Sequence, residues 1–195
     1  NADIRAVFFD IDGTLTSFTT RTVPDSTIEA IHRLQAAGVK VLICTGRAPS
    51  QMHVGLDTMP VTFDGVVAFN GQYCFDDTGF FASQALDTAD IEVILDWLDR
   101  HPDVVCNFGE KDYVYFNQSN DLLRATWSKL GKTAPTRYFE DPRTRALDHE
   151  TFQISPFVGP ELEAELVGLC SNVRGVRWHP DFTDLIPADG GKPRG

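Results

Sequence analysis

The sequence predicts an α/β fold: a doubly wound parallel-sheet core with a separate α+β unit inserted into it. Three observations carry that expectation. Residues 5–9, 39–44 and 65–69 are short apolar runs without polar alternation, the pattern of strands buried on both faces of a parallel sheet. The first two runs flank a stretch of helical periodicity, the connection that a parallel pair needs. After residue 71 the pattern changes to hairpin signals and helices.

Taken in order, the first run ends in Asp10 and Asp12, and Gly13 directly after them signals a turn that aims both carboxylates into a crevice. Open α/β sheets keep their chemistry at such strand ends. Residues 24–37 read as a helix with Ile28, Ile31 and Leu34 on one stripe, Pro24 suiting its first turn and Gly38 ending it. A right-handed crossover then makes the second strand parallel to the first and brings Thr45 close to Asp10. Residues 48–59 are expected to be a helix, and residues 65–69 a third strand leading into Asn70 and Gly71.

Asp76 to Gly79 marks a hairpin within residues 73–86. A helix follows over residues 88–101, stopped by Pro102, then two strands over 104–117 and a helix over 119–130. Residues 151–158 read as a strand, 161–170 as a helix, and 176–186 as a final hairpin around His179, Pro180 and Asp181. The domains expected are residues 1–84 as core, 85–186 as the inserted unit and 187–195 as the return to the core, with a C-terminal remainder absent.

The 195 residues, 42% hydrophobic and 23% charged, have the composition of a folded globular chain rather than a disordered one. A net charge of -11 repels phosphodiester backbones and anionic lipid, so neither nucleic acid nor a membrane is expected as partner. An anionic substrate must therefore meet local positive charge. Cys44, Cys74, Cys106 and Cys170 lie far apart, suggesting buried apolar residues rather than a zinc site or disulfides. Without a leader-like opening or a bilayer-length apolar run, the expected location is cytoplasmic, which makes the glycosylation match at Asn117 a chance one. Asn1-Ala2 stands in place of an initiator Met and reads as a cloning remnant.

Asp10, Asp12, Gly13, Thr14 and Leu15 after a buried strand, Thr45 after the next, and Gly190, Gly191 and Lys192 late in the chain together resemble the haloacid dehalogenase (HAD) superfamily. The α+β insert after Asn70-Gly71, and Asp184 to Pro187 ahead of Lys192, narrow the resemblance to its Cof-type phosphatase branch. The resemblance implies a Rossmann-like core with a cap, a hydrolase, and a small phosphorylated metabolite as substrate. It further implies Asp10 as nucleophile, Asp12 as general acid/base, and Thr45, Gly46 and Lys192 as the phosphate-binding set. Mg2+ is the implied cofactor, held by an Asp10 oxygen and the Asp12 carbonyl. The chemistry is coherent: an aspartate attacking phosphorus splits ester hydrolysis into two easier steps, and a second carboxyl can alternate between acid and base. Mg2+ offsets the repulsion between two carboxylates and a dianionic phosphate.

Each residue has a plainer reading. Asp12-Gly13 alone is a turn, Thr45-Gly46 alone ends a strand, and Lys192 alone is a solvated surface lysine. The loop before Lys192 is not a P-loop, since Pro193 stands where Ser or Thr belongs. Arg47 and Asn70, at strand ends facing the crevice, either touch substrate or tie down a loop, with loop-tying the first reading. His53 and His179 lack metal-ligand partners and read as structural, and Trp127, Trp178 and Phe182 read as cap core.

The resemblance also implies a further acidic motif after Lys192, and none follows. A chain ending at Gly195 is therefore expected to be a fragment, or the ordered part of a longer chain, with residues 7–9 as an exposed apolar edge, poor Mg2+ binding and weak hydrolysis or none. Two other functions remain open at the level of sequence: a phosphotransferase or mutase, and a non-catalytic protein that binds a phosphorylated ligand. Substrate and oligomeric state are not legible.

Overall fold

A computed structural model describes residues 4–17, 19, 20, 22–52, 56, 59–130 and 134–195. Two sheets organise the molecule. The first has five strands in the order β1 (Ala6–Phe9), β2 (Lys40–Cys44), β3 (Gly65–Ala68), β4 (Tyr73–Asp76) and β5 (Gly79–Ser83). β1, β2 and β3 are parallel, whereas β4 and β5 form an antiparallel hairpin added to the β3 edge. The turn of that hairpin is set by Asp76, whose Oδ1 accepts from the Thr78 N–H at 2.8 Å and the Thr78 hydroxyl at 2.6 Å.

Helix α1 (Asp25–Ala36) supplies the crossover between β1 and β2. Its Ile31 packs with Ile11, Leu15, Val41, Ile43, Val66 and Ala68 in a core on one face of the sheet. β1 is not buried on both faces but is an edge strand, the exposed apolar edge expected for residues 7–9, and Ala6 and Phe8 face outwards, with Phe8 53% exposed. Of the helix expected over 48–59, the described part is a 3-10 turn at Pro49–Gln51, with hydrogen bonds three residues apart. Residues 53–55, 57 and 58, including His53, lie outside the described residues, as does Asn1-Ala2.

The second sheet has the order β10 (Val173–Val176), β11 (Asp184–Pro187), β9 (Gln153–Pro156), β6 (Cys106–Gly109), β7 (Val114–Phe116) and β8 (Tyr138–Phe139). Its pairs are antiparallel except β7 with β8. One core joins Ile91, Ile94, Leu95 and Trp97 of α2 (Thr88–Arg100), Ala146 of α4 (Pro142–Asp148) and Leu166 of α5 (Pro160–Leu169) to Phe108, Tyr115, Ile154 and Leu185 of the sheet. Helix α3 (Asp121–Leu130) adds Leu123 to a smaller cluster with Val105, Phe116 and Phe157. The final hairpin begins earlier than expected, because β10 pairs from Val173 and residues 177–183 form its loop. Among the described residues no helix is long and apolar enough to cross a membrane.

Aromatic packing joins the two sheets. Phe69 and Tyr73 from the first meet Val114 and Phe152 from the second, and the Phe69 and Phe152 rings stack with centroids 5.9 Å apart. Phe69 is 2% exposed, so its burial alone contributes roughly 1.5–3 kcal/mol. Gly109 of β6 gives it room, since an added Cβ there would stand 2.9 Å from Phe69 Cζ.

Candidate active site

The candidate site is built at the C-terminal ends of β1 and β2. Pairing of Phe9 with Ile43 sets Asp10 beside Cys44, with Thr45 one residue further on. In the loop after β1 the residue types alternate by environment. Ile11 and Leu15 are fully buried pegs, while Asp10 and Asp12 keep 35% and 33% of their side chains exposed. Hydrogen bonds from Leu15 N to Asp10 O at 3.2 Å, Thr16 N to Ile11 O at 2.9 Å and Gly13 N to Thr16 O at 2.8 Å tighten the turn. Gly13 takes φ 83°, which a side chain would resist.

Each carboxylate meets a cation. Lys192 Nζ donates to Asp10 Oδ1. Arg47 grips Asp12 in a fork, Nε to Oδ2 at 2.9 Å and Nη2 to Oδ1 at 2.7 Å. These two side chains supply the local positive charge that an acidic chain needs in order to accept an anion. Lys192 is delivered by the turn after β11. Arg174 Nη2 pins that turn through Gly190 O at 2.7 Å, and it lies so close to Gly71 that an added Cβ would stand 2.8 Å from the Gly191 carbonyl carbon.

Thr45 is 1% exposed and threaded into the backbone: its N–H donates to Val67 O at 2.8 Å, and its carbonyl accepts from Asn70 N at 2.8 Å. Its Oγ1 accepts from Arg47 N at 3.1 Å and retains a proton to donate. Asn70 adopts φ 56°, directly after Phe69 at φ 49°. From this left-handed position its Nδ2 reaches Gln153 Oε1 at 2.9 Å and Asp184 Oδ2 at 3.1 Å. Asn70 thus ties the two sheets together, and Arg47 ties Asp12 to the Thr45 loop.

Three buried residues of the second sheet escaped the sequence reading as site residues. Gln153 Nε2 donates to Gly46 O at 3.3 Å, and Ser155 Oγ donates to Asp184 Oδ1 at 2.8 Å. Asp184 Oδ2 also accepts from Trp178 Nε1 at 3.0 Å. Burial pushes the Asp184 carboxyl above its usual range, opposed by the donors Ser155, Trp178 and Asn70 and by the charge of Lys192. The alternation of Gln153, Ile154 and Ser155 was the available signal, because it sets two polar side chains on one face of a strand. The cap-core reading fails for Trp178, which is 54% exposed because its indole N–H is drawn to Asp184 at the sheet end. Trp127 and Phe182 pack in the cluster around Phe116 and Phe157. His179 stacks on Phe182 at 4.8 Å and accepts from Asp181 N at 3.2 Å, a structural arrangement. Cys44, Cys74 and Cys106 are buried, Cys170 is half-buried, and burial raises all four thiols.

No group of three or more His, Cys, Asp or Glu side chains suited to a metal occurs among the described residues. Mg2+ keeps several waters and takes one or two carboxylate ligands plus substrate oxygens. The donors here suit that mode: Lys192 engages Asp10 through Oδ1, and the hydrogen bonds of the described loop use the carbonyls of Asp10, Ile11 and Thr16 rather than that of Asp12.

A strand-end aspartate pair, one partner to a lysine and the other to an arginine, thus lies beside a loop tied to the second sheet. Residues 7–194 match the haloacid dehalogenase-like hydrolases, and the chain belongs to that family. A Bacillus subtilis (strain 168) protein that carries the name of a phosphatase, YkrA, is 26% identical over 202 residues, covering 99% of this chain and 72% of its own. The structure described as the HAD subclass IIB sugar phosphatase BT4131 superposes with a TM-score of 0.87 at 29% identity, over 98% of this chain and 73% of that one. A second, from work on a trigonal-bipyramidal intermediate in a phosphoryl-transfer superfamily, gives 0.88 at 28% identity, over 99% and 73%.

Proposed function

We propose that the chain hydrolyses small phosphomonoesters, sugar phosphates foremost, through an aspartyl-phosphate. The observation that carries this reading is the pairing of Asp10 with Lys192 and of Asp12 with Arg47 around one cleft. Two carboxylates and two cations leave the site balanced before substrate arrives. An Asp10 oxygen and the Asp12 carbonyl would hold Mg2+, which would supply the positive charge that offsets the added dianion.

An Asp10 oxygen attacks phosphorus in line and the P–O ester bond breaks, while Asp12, having taken a proton from solvent once its fork with Arg47 has opened, passes that proton to the leaving alkoxide. Water then attacks the phosphorus of the aspartyl-phosphate, passing its proton to Asp12 and releasing phosphate and the Asp10 carboxylate. Thr45, through its hydroxyl, and the Gly46 backbone hold phosphoryl oxygens, and Lys192 orients Asp10. For Asp12 to reach the leaving oxygen its fork with Arg47 opens. Residues 85–186 act as the cap, excluding bulk water and selecting the leaving group. The sugar-phosphate choice draws on the likeness to BT4131.

The test is phosphate release from a phosphomonoester panel, with no acceptor alcohol, in Mg2+ and in excess chelator. Weak release that requires Mg2+ and is abolished by Asp10→Asn is expected of these 195 residues. Undiminished release by that variant removes Asp10 as nucleophile, and transfer only to an added alcohol makes the chain a phosphotransferase.

A further inference from the structure

Trp178 is an anchored aromatic that stays exposed, with His179 5.9 Å from its ring at 76°. It lies in the loop between β10 and β11, 54% exposed in a chain whose other described regions bury their indoles more deeply. Exposure here is not looseness. The indole N–H is fixed on Asp184 Oδ2 at 3.0 Å, and the ring meets Phe182 at 5.0 Å and 90°. Phe182 in turn packs on Phe157 at 5.2 Å. A large apolar surface is therefore held rigid in water, at a cost in hydration free energy that folding alone does not require.

Its anchor belongs to the catalytic cleft. The Asp184 oxygen that receives the indole N–H also receives Asn70 Nδ2, and it would stand 3.4 Å from a Cβ added at Gly46. The Lys192 ammonium in contact with Asp10 also acts on Asp184 through space. The indole thus sits one hydrogen bond away from residues that border the phosphoryl-binding loop.

We infer that Trp178 is a specificity residue: its exposed indole receives the ring of the leaving group, namely the C–H face of a pyranose whose phosphate is held at Asp10. The C–H bonds of such a face carry partial positive charge and meet the negative face of the indole. An acyclic phosphate ester has no face to offer. This inference rests on the hydrolase reading above and adds a ring requirement to it.

The experiment compares wild type, Trp178→Leu and Trp178→Phe with D-glucose 6-phosphate and glycerol 3-phosphate in Mg2+. Trp178→Leu is expected to lower kcat/KM for the glucose ester about tenfold more than for the glycerol ester, mainly through KM, and Trp178→Phe to restore much of that selectivity. Equal losses on both esters, no loss, or no recovery with phenylalanine would overturn the inference. If wild type hydrolyses neither ester, the platform is tested by binding, and the hydrolase reading fails only if no ester of the panel above is hydrolysed either. Glucose 6-phosphate should then quench the indole emission of wild type, with the quench absent in Trp178→Phe. No quench, or one that survives in Trp178→Phe, would overturn the inference. Melting temperatures of both variants confirm that they are folded.

Discussion

Asp184→Asn separates the charge of a buried carboxylate from its hydrogen bonds. Asp184 is 3% exposed and accepts from Ser155, Trp178 and Asn70. Asparagine preserves all three contacts: its oxygen faces Trp178 and Asn70, and its amide faces the Ser155 hydroxyl, which accepts as readily as it donates. Alanine instead leaves Ser155 without its acceptor and deprives Asn70 of one of two, a loss of about 2–4 kcal/mol. The pH dependence has a definite sign. Burial raises the folded-state carboxyl above its unfolded value of roughly 3.9, so its contribution to stability is complete below that value and is lost as pH rises through the folded one. Asparagine mimics the protonated form and should gain on wild type between about pH 4 and about pH 7. Urea unfolding at the two pH values measures the difference, and the other titrating groups cancel in it. A gap between wild type and Asp184→Asn that ignores pH, or an asparagine variant as damaged as the alanine one, would refute the reasoning.

Two further substitutions probe the cleft and its support. Arg47→Lys keeps the charge but loses the two-point fork on Asp12, so kcat/KM should fall by roughly one to two orders of magnitude, and wild-type turnover in steady-state assays would remove Arg47 from the site. Gly109→Ala drives a methyl against Phe69 and should destabilise the chain by about 1–3 kcal/mol in denaturant melts while disturbing Asn70 next to it; a neutral variant would show the two sheets to be loosely joined.

Legibility followed the range of the forces involved. The parallel β1–β2–β3 order and α1 were readable because their signals are local: unalternating apolar runs, a helical stripe and a terminating glycine. Helix α4 carried a start signal that the reading passed over, with Asp141 accepting from Arg143 N at 2.9 Å and Pro142 at the first position. Two-residue β8 offers no periodicity at all. At the site, Asp10, Asp12 and Lys192 could be placed from motif order, but the fork of Arg47 on Asp12 depends on side-chain geometry between two loops. The network of Gln153, Ser155 and Asp184 depends on how one sheet docks on the other, which no local pattern encodes.

The contact of Lys192 with Asp10 spans 182 residues, nearly the whole chain. Closing so long a loop is entropically costly, and the cost is met only once β11 has joined the second sheet and brought its following turn to Gly71. The Asp10–Lys192 contact is therefore expected to form late in folding, after both sheets have appeared.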